Sequence, residues 1–86
     1  MRYTIILAKS VQKQLDKLPA KVSERIQDKL TSLETNPRPQ GAKKLKGCPA
    51  HRVRVGDYRV IYEIEDERLL VIVIQVGHRR EVYRSD

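Results

Sequence analysis

Cysteine occurs once in the 86 residues, at Cys48, which excludes an intramolecular disulfide and any cysteine-rich zinc site. A free thiol suits a reducing compartment, so the cytoplasm is the expected location. Cys48 has no neighbour in sequence that marks it as a nucleophile. There are two histidines, and Asp, Glu and His do not cluster together at metal-ligand spacing, so no metal site is expected. Long apolar runs are missing too. Met1 to Lys9 is too short an apolar stretch for a signal peptide, and no segment approaches a membrane span. Repeats, linkers and low-complexity segments are absent, so the whole of residues 1–86 reads as one domain.

What the chain has in excess is positive charge. Eighteen Lys and Arg against 11 Asp and Glu give a net charge of +7, which favours an anionic partner such as nucleic acid or an acidic protein. Hydrophobic residues make up 40%, enough for a globular chain with a modest core.

Residues 2–7 read as a first strand. Ser10 is placed to cap a helix carrying Val11, Leu15 and Leu18 at helical spacing, and Pro19 ends that helix and starts the next. Val22, Ile26, Leu30 and Leu33 form one apolar stripe on the second helix, so the two make an αα-hairpin. Asn36 to Gly41 breaks the helix, and Lys43-Lys44-Leu45-Lys46-Gly47 follows as a basic loop or short extended piece. His51–Val55 and Tyr58–Ile64 flank Gly56-Asp57, and Glu65 to Arg68 turns the chain into the apolar strand Leu69–Val76. The fold class is α+β: an N-terminal strand, an αα-hairpin, then an antiparallel β-meander with the helices packed on one face.

A two-residue turn at Gly56-Asp57 pairs Val55 with Tyr58, Arg54 with Arg59, Val53 with Val60 and Arg52 with Ile61. Alternation then gives Val53, Val55, Val60 and Tyr62 to the helix side, and Arg52, Arg54 and Arg59 to the other. Like charges directly opposite one another are unfavourable, and such local conflict marks functional sites. Glu63, Glu65, Asp66 and Glu67 lie toward the far end, so the face is positive at one end and negative at the other. Ile61, Leu70, Ile72 and Ile74 share that face and need cover. No third helix is expected after Tyr83, so a partner protein or a second copy must supply it. Arg79 misses the face by simple alternation from Ile74, and a bulge at Gly77 is the expected remedy.

The element order resembles the RelE/ParE superfamily of toxin–antitoxin systems, its RelE branch in particular. So do Lys44-Leu45-Lys46-Gly47, Tyr58-Arg59-Val60-Ile61-Tyr62 and Val76-Gly77-His78-Arg79-Arg80-Glu81-Val82-Tyr83. The resemblance covers nearly the whole chain. It implies a ribosome-dependent endoribonuclease that enters the ribosomal A site and cleaves mRNA there. It also implies a RelB-like antitoxin that wraps and neutralises the toxin, and neither a cofactor nor a membrane partner. Carried over by position, Arg59, Arg79 and Tyr83 are the active-site residues, and Arg52 and Arg54 match a basic pair on the first meander strand. The best-known RelE toxins have lysines at those two positions. Arginine stays protonated, so the role left to Arg52 and Arg54 is electrostatic.

RNA is cut without a metal when its 2′-hydroxyl attacks the adjacent phosphorus, given a base, charge stabilisation and an acid for the leaving oxygen. Tyr83 is the candidate base, or else it stacks on a nucleobase and orients it. Arg59 and Arg79 suit the phosphate and its transition state, while Arg52, Arg54, Lys43, Lys44, Lys46 and Arg80 suit flanking RNA. His78 is the chemically best general acid, and the alternative for it is a structural or solvated role. Two other readings stay open: a ParE-like DNA gyrase inhibitor, and a non-catalytic basic module binding RNA or the ribosome.

Overall fold

The computed structural model describes residues 2–78. Five strands and two helices follow in the order β1 (Thr4–Leu7), α1 (Lys9–Lys17), α2 (Ala20–Leu33), β2 (Lys43–Lys44), β3 (Ala50–Val55), β4 (Tyr58–Glu65) and β5 (Leu70–His78). They form an α+β fold. The strands make one mixed sheet in the order β1-β5-β4-β3-β2, antiparallel except where β1 lies parallel to β5.

Helix α1 buries Val11 and Leu15, and α2 buries Ile26, Leu30 and Leu33. These stripes meet Val53, Val60, Tyr62, Val71, Val73 and Val76 on one face of the sheet, which is the core. Pro19 is the N-cap of α2, where its missing N–H is no loss. Ser10 does not cap α1. The helix starts one residue earlier, after an extended Ala8 that makes no side-chain cap bond. Leu69 is not in the strand either. It takes a positive φ of 54°, a conformation rare for branched residues, and its carbonyl accepts the Thr4 N–H at 2.8 Å. The turn thereby sets where β1 docks.

The β3–β4 register is the one the Gly56-Asp57 turn demands, from Val55 opposite Tyr58 to Arg52 opposite Ile61. Gly56 has φ of 59° while Asp57 does not leave the negative range, which fits a type II′ turn with glycine first. The irregularity in β5 falls at Ile74 rather than Gly77. Tyr62 pairs with Val73 but Ile61 pairs with Gln75, so Ile74 is the extra residue. The bulge returns Val76 to the core and turns Gln75 and Gly77 to the arginine side. Beyond this point β1 has ended, and the side-chain oxygen of Gln14 accepts the Val76 N–H at 3.0 Å in place of a strand partner.

Ile61 does not wait for a partner. Leu45, just after β2, and Ala50 pack on it from the open side. Among the described residues the exposed large apolar ones are Ile6 (41%) and Ile74 (37%), with Leu70 and Ile72 half-buried nearby in the register.

Two polar contacts fasten the 36–42 segment. Buried Tyr62 donates from its hydroxyl to the Pro37 carbonyl at 2.8 Å. Burial pushes its phenol up to about 12, so it remains a donor at all ordinary pH. At the surface Arg38 forms a two-nitrogen bond to Asp66 at 2.9 and 3.2 Å, and the Tyr3 hydroxyl donates to the same carboxylate at 2.6 Å. Hydrogen bonds from Arg38 and Tyr3 hold Asp66 down from 3.8 to about 2.

Two outcomes follow from these anchors. Tyr62→Phe leaves the Pro37 carbonyl unsatisfied and lowers stability by about 1–3 kcal/mol in urea unfolding. Because Asp66 titrates lower in the folded chain than in the unfolded one, its stabilising contribution is complete above about pH 4 and is lost as the pH falls through about 2. Asp66→Asn should therefore lower the urea midpoint at pH 7, with the gap to the wild type closing toward pH 2. An unchanged gap would show that the carboxylate charge is not what holds the segment.

Candidate nucleic-acid interface

Strand alternation and register decide which cations meet. Lys43 stands opposite Arg52, and Arg54 opposite Arg59. All four side chains belong to the face away from the helices. With Gly41 they line a cleft of about 280 Å³, and none of the described residues lining it is a carboxylate. Arg59 is only 6% exposed, and its Nη1 is sealed from solvent. On its other side it stands opposite Gly77, a residue with no side chain. Arg54 is exposed, and its Nε donates to the Gly56 carbonyl at 3.4 Å, a long bond.

The energetics favour an anion here. Two like charges roughly 4 Å apart repel by about 1 kcal/mol in water but by about 4 kcal/mol at an effective dielectric near 20. Guanidiniums remain charged under all ordinary conditions and cannot relieve the repulsion by losing a proton. A phosphate, accepting forked hydrogen bonds from several of them, removes the repulsion and adds attraction. The opposite end of the face carries acid: Glu63 and Glu65 follow Arg59 and Ile61 in alternation along β4, and Glu65 is paired with Arg68 at 2.7 Å. The expected polarity of the face is present in the fold.

Not all the basic residues join the cleft. Lys44 stands opposite His51, on the other side of the ribbon, and Lys46 lies past β2. Of Lys43, Lys44 and Lys46, Lys43 alone lines the cleft. His51 stacks on Tyr62 with ring centroids 5.9 Å apart. Its Nδ1 is buried without a hydrogen-bond partner, and burial first, then the charges of Arg38 and Lys44, lower its pKa. His78 meets the edge of Tyr58 at 5.6 Å and lines a separate pocket with Gln14, Lys17, Leu18 and Val76. It does not line the arginine cleft. Arg79, Arg80 and Tyr83 lie outside the described residues. Among the described residues no group of three or more His, Cys, Asp or Glu side chains is placed to hold a metal ion. No described helix is long and apolar enough to cross a membrane.

Gly41 carries no signal of a site in the sequence. It reaches the cleft because Tyr62 and Asp66 pin the segment that carries it, and those bonds join positions far apart in the chain.

Known proteins share this fold. Residues 5–83 match the family model for the ParE toxin of the type II toxin–antitoxin system parDE. The mRNA interferase toxin RelE of Escherichia coli K12 is 35% identical over 96% of this chain and 92% of its own. In the crystal structure of the archaeal RelE–RelB complex from Pyrococcus horikoshii, the matching chain superposes with a TM-score of 0.83 at 30% identity. That match covers 92% of this chain and 97% of the other. The isolated E. coli RelE toxin gives 0.79 at 32% identity over 96% and 93%. The chain belongs to the ParE/RelE family of toxins of type II toxin–antitoxin systems.

Proposed function

We propose that this toxin is a ribosome-dependent endoribonuclease that cleaves mRNA in the A site and so stops translation, acting as one domain in the cytoplasm. The observation that carries the reading is the cleft of Lys43, Arg52, Arg54 and Arg59, with Arg59 nearly enclosed. It is supported by the relative whose name is mRNA interferase toxin RelE.

In this reading the 2′-hydroxyl attacks the neighbouring phosphorus, loses its proton to a base, and the 5′-oxygen leaves with a proton. The products are a 2′,3′-cyclic phosphate and a 5′-hydroxyl. No metal takes part. Arg59 and Arg79 brace the phosphate as negative charge grows in the transition state, while Arg52 and Arg54 hold flanking phosphates. Tyr83 serves as the base or orients the nucleotide. His78, the possible general acid, lines a pocket apart from the Lys43–Arg59 cleft. Weak acid–base machinery makes the chain slow on free RNA. The ribosome supplies what is missing by holding the 2′-hydroxyl in line.

A RelB-like antitoxin completes the proposal. It covers Ile6, Leu70, Ile72 and Ile74 with apolar groups and sets carboxylates against the arginines. The family model's ParE description favours a second reading, in which the toxin poisons DNA gyrase and leaves RNA intact.

One experiment separates them. Purified wild type should cut a defined mRNA within the A-site codon when programmed ribosomes are present. Arg59→Ala should slow single-turnover cleavage by about 100-fold or more while keeping ribosome binding, and Arg59→Lys should not restore it. Intact mRNA with folded wild-type protein, together with gyrase-dependent DNA breaks, would overturn the ribonuclease reading.

A further inference from the structure

Arg54 lines two clefts at once. One is the arginine cleft already described. The other is an open groove of about 490 Å³ at the tip of the β3–β4 hairpin, where α2 contributes Arg25, Asp28, Lys29 and Ser32. Arg54 is the residue common to both, and Gly56 lines the groove beside it. A side chain at position 56 would come within 3.8 Å of the Arg25 Nη1, and the Gly56 carbonyl accepts the Arg54 Nε. Two guanidiniums, one from the sheet and one from the helix bundle, converge on a residue that has no side chain to separate them.

Arg25 and Lys29 are four residues apart on α2 and share one helix face. Among the described residues the ion pairs are Arg2–Glu34, Arg38–Asp66 and Arg68–Glu65, so neither Arg25, Lys29 nor Arg54 is held by a carboxylate. Asp28 is the one acid lining the groove, leaving a surplus of cations there. Nothing in the core requires these charges. The buried stripe of α2 is Ile26, Leu30 and Leu33, and Arg25 is exposed.

We propose that Arg25 and Lys29, with Arg54 between the clefts, form a second phosphate-binding site for RNA. A strand seated in the arginine cleft then continues over the hairpin tip onto α2. The inference rests on the RNA reading above and extends it: the cleft does the chemistry, and the α2 groove holds the strand beyond it. Arg54 bridges the two, and Gly56 lets the Arg25 guanidinium lie close to the hairpin tip.

The test is the salt dependence of RNA binding, measured by anisotropy with a labelled 2′-O-methyl oligoribonucleotide that cannot be cut. Arg25→Ala/Lys29→Ala should weaken binding and reduce the slope of log K against log salt by about 1.4, since each phosphate neutralised on a single strand contributes roughly 0.7. Lys9→Ala/Lys13→Ala removes the same charge from exposed positions of α1 and should keep the wild-type slope. Arg25→Glu, with its fold checked by thermal unfolding, should weaken binding further. Equal slopes for the two double variants overturn the second site. So does an Arg25→Ala/Lys29→Ala variant with weakened affinity for a polyglutamate peptide and unchanged affinity for RNA, which assigns the groove to an acidic protein. Wild-type protein that neither binds the oligonucleotide nor cuts mRNA on ribosomes sinks the ribonuclease reading itself, a different result from either.

Discussion

The two-residue turn at Gly56-Asp57 decides which side of the sheet each residue of β3 and β4 belongs to. Shifting that turn by one residue would send Val53 and Val60 to solvent and Arg52, Arg54 and Arg59 into the helices. Burying three guanidiniums against Leu30 and Ile26 is not a structure any packing could rescue. The core and the arginine cleft are therefore two faces of one choice of register. The apolar face makes the register stable, and the charged face inherits its geometry from it. A cleft lined by four cations keeps its shape because valines on the reverse side hold the register in place.

This explains why so much of the site is legible in the sequence. Val53, Val60 and Tyr62 alternate with Arg52, Arg54 and Arg59, and a Gly-Asp pair between them leaves one sensible register. Helix stripes at Val11, Leu15, Ile26 and Leu30 are equally plain. Less legible is whatever depends on pairing between distant parts. The bulge at Ile74 has no glycine to announce it, and in a run of valines and isoleucines any residue could be the extra one. The parallel pairing of β1 with β5 leaves no mark in either strand's pattern. Lys43, Lys44 and Lys46 read as one basic patch, but a two-residue strand sorts Lys43 from Lys44 onto opposite sides. Charge content is visible in a sequence, while the side it faces depends on pairing.

The remainder of the molecule divides the labour along the sheet. The β3–β4 tip concentrates cations, and the Glu65–Leu69 end concentrates carboxylates, where Asp66 gathers Arg38 and Tyr3. Between them Ile61 is shielded by Leu45 and Ala50, while Ile6 and Ile74 are left open on the β1–β5 half. The cationic cleft and the open apolar residues thus occupy adjacent but different parts of one surface.

The pairing of β1 with β5 also orders events in time. The β3–β4 hairpin closes over two residues and needs nothing from the N-terminus, whereas Thr4 reaches its partner Leu70 only after both helices and the meander strands have been made. Pairings between distant parts of a chain form late because long loops must close first. The arginine hairpin is thus among the earliest pieces able to take shape, and the sheet that stiffens it among the last. The cleft thus gains the last strands of its supporting sheet only once synthesis has passed β5.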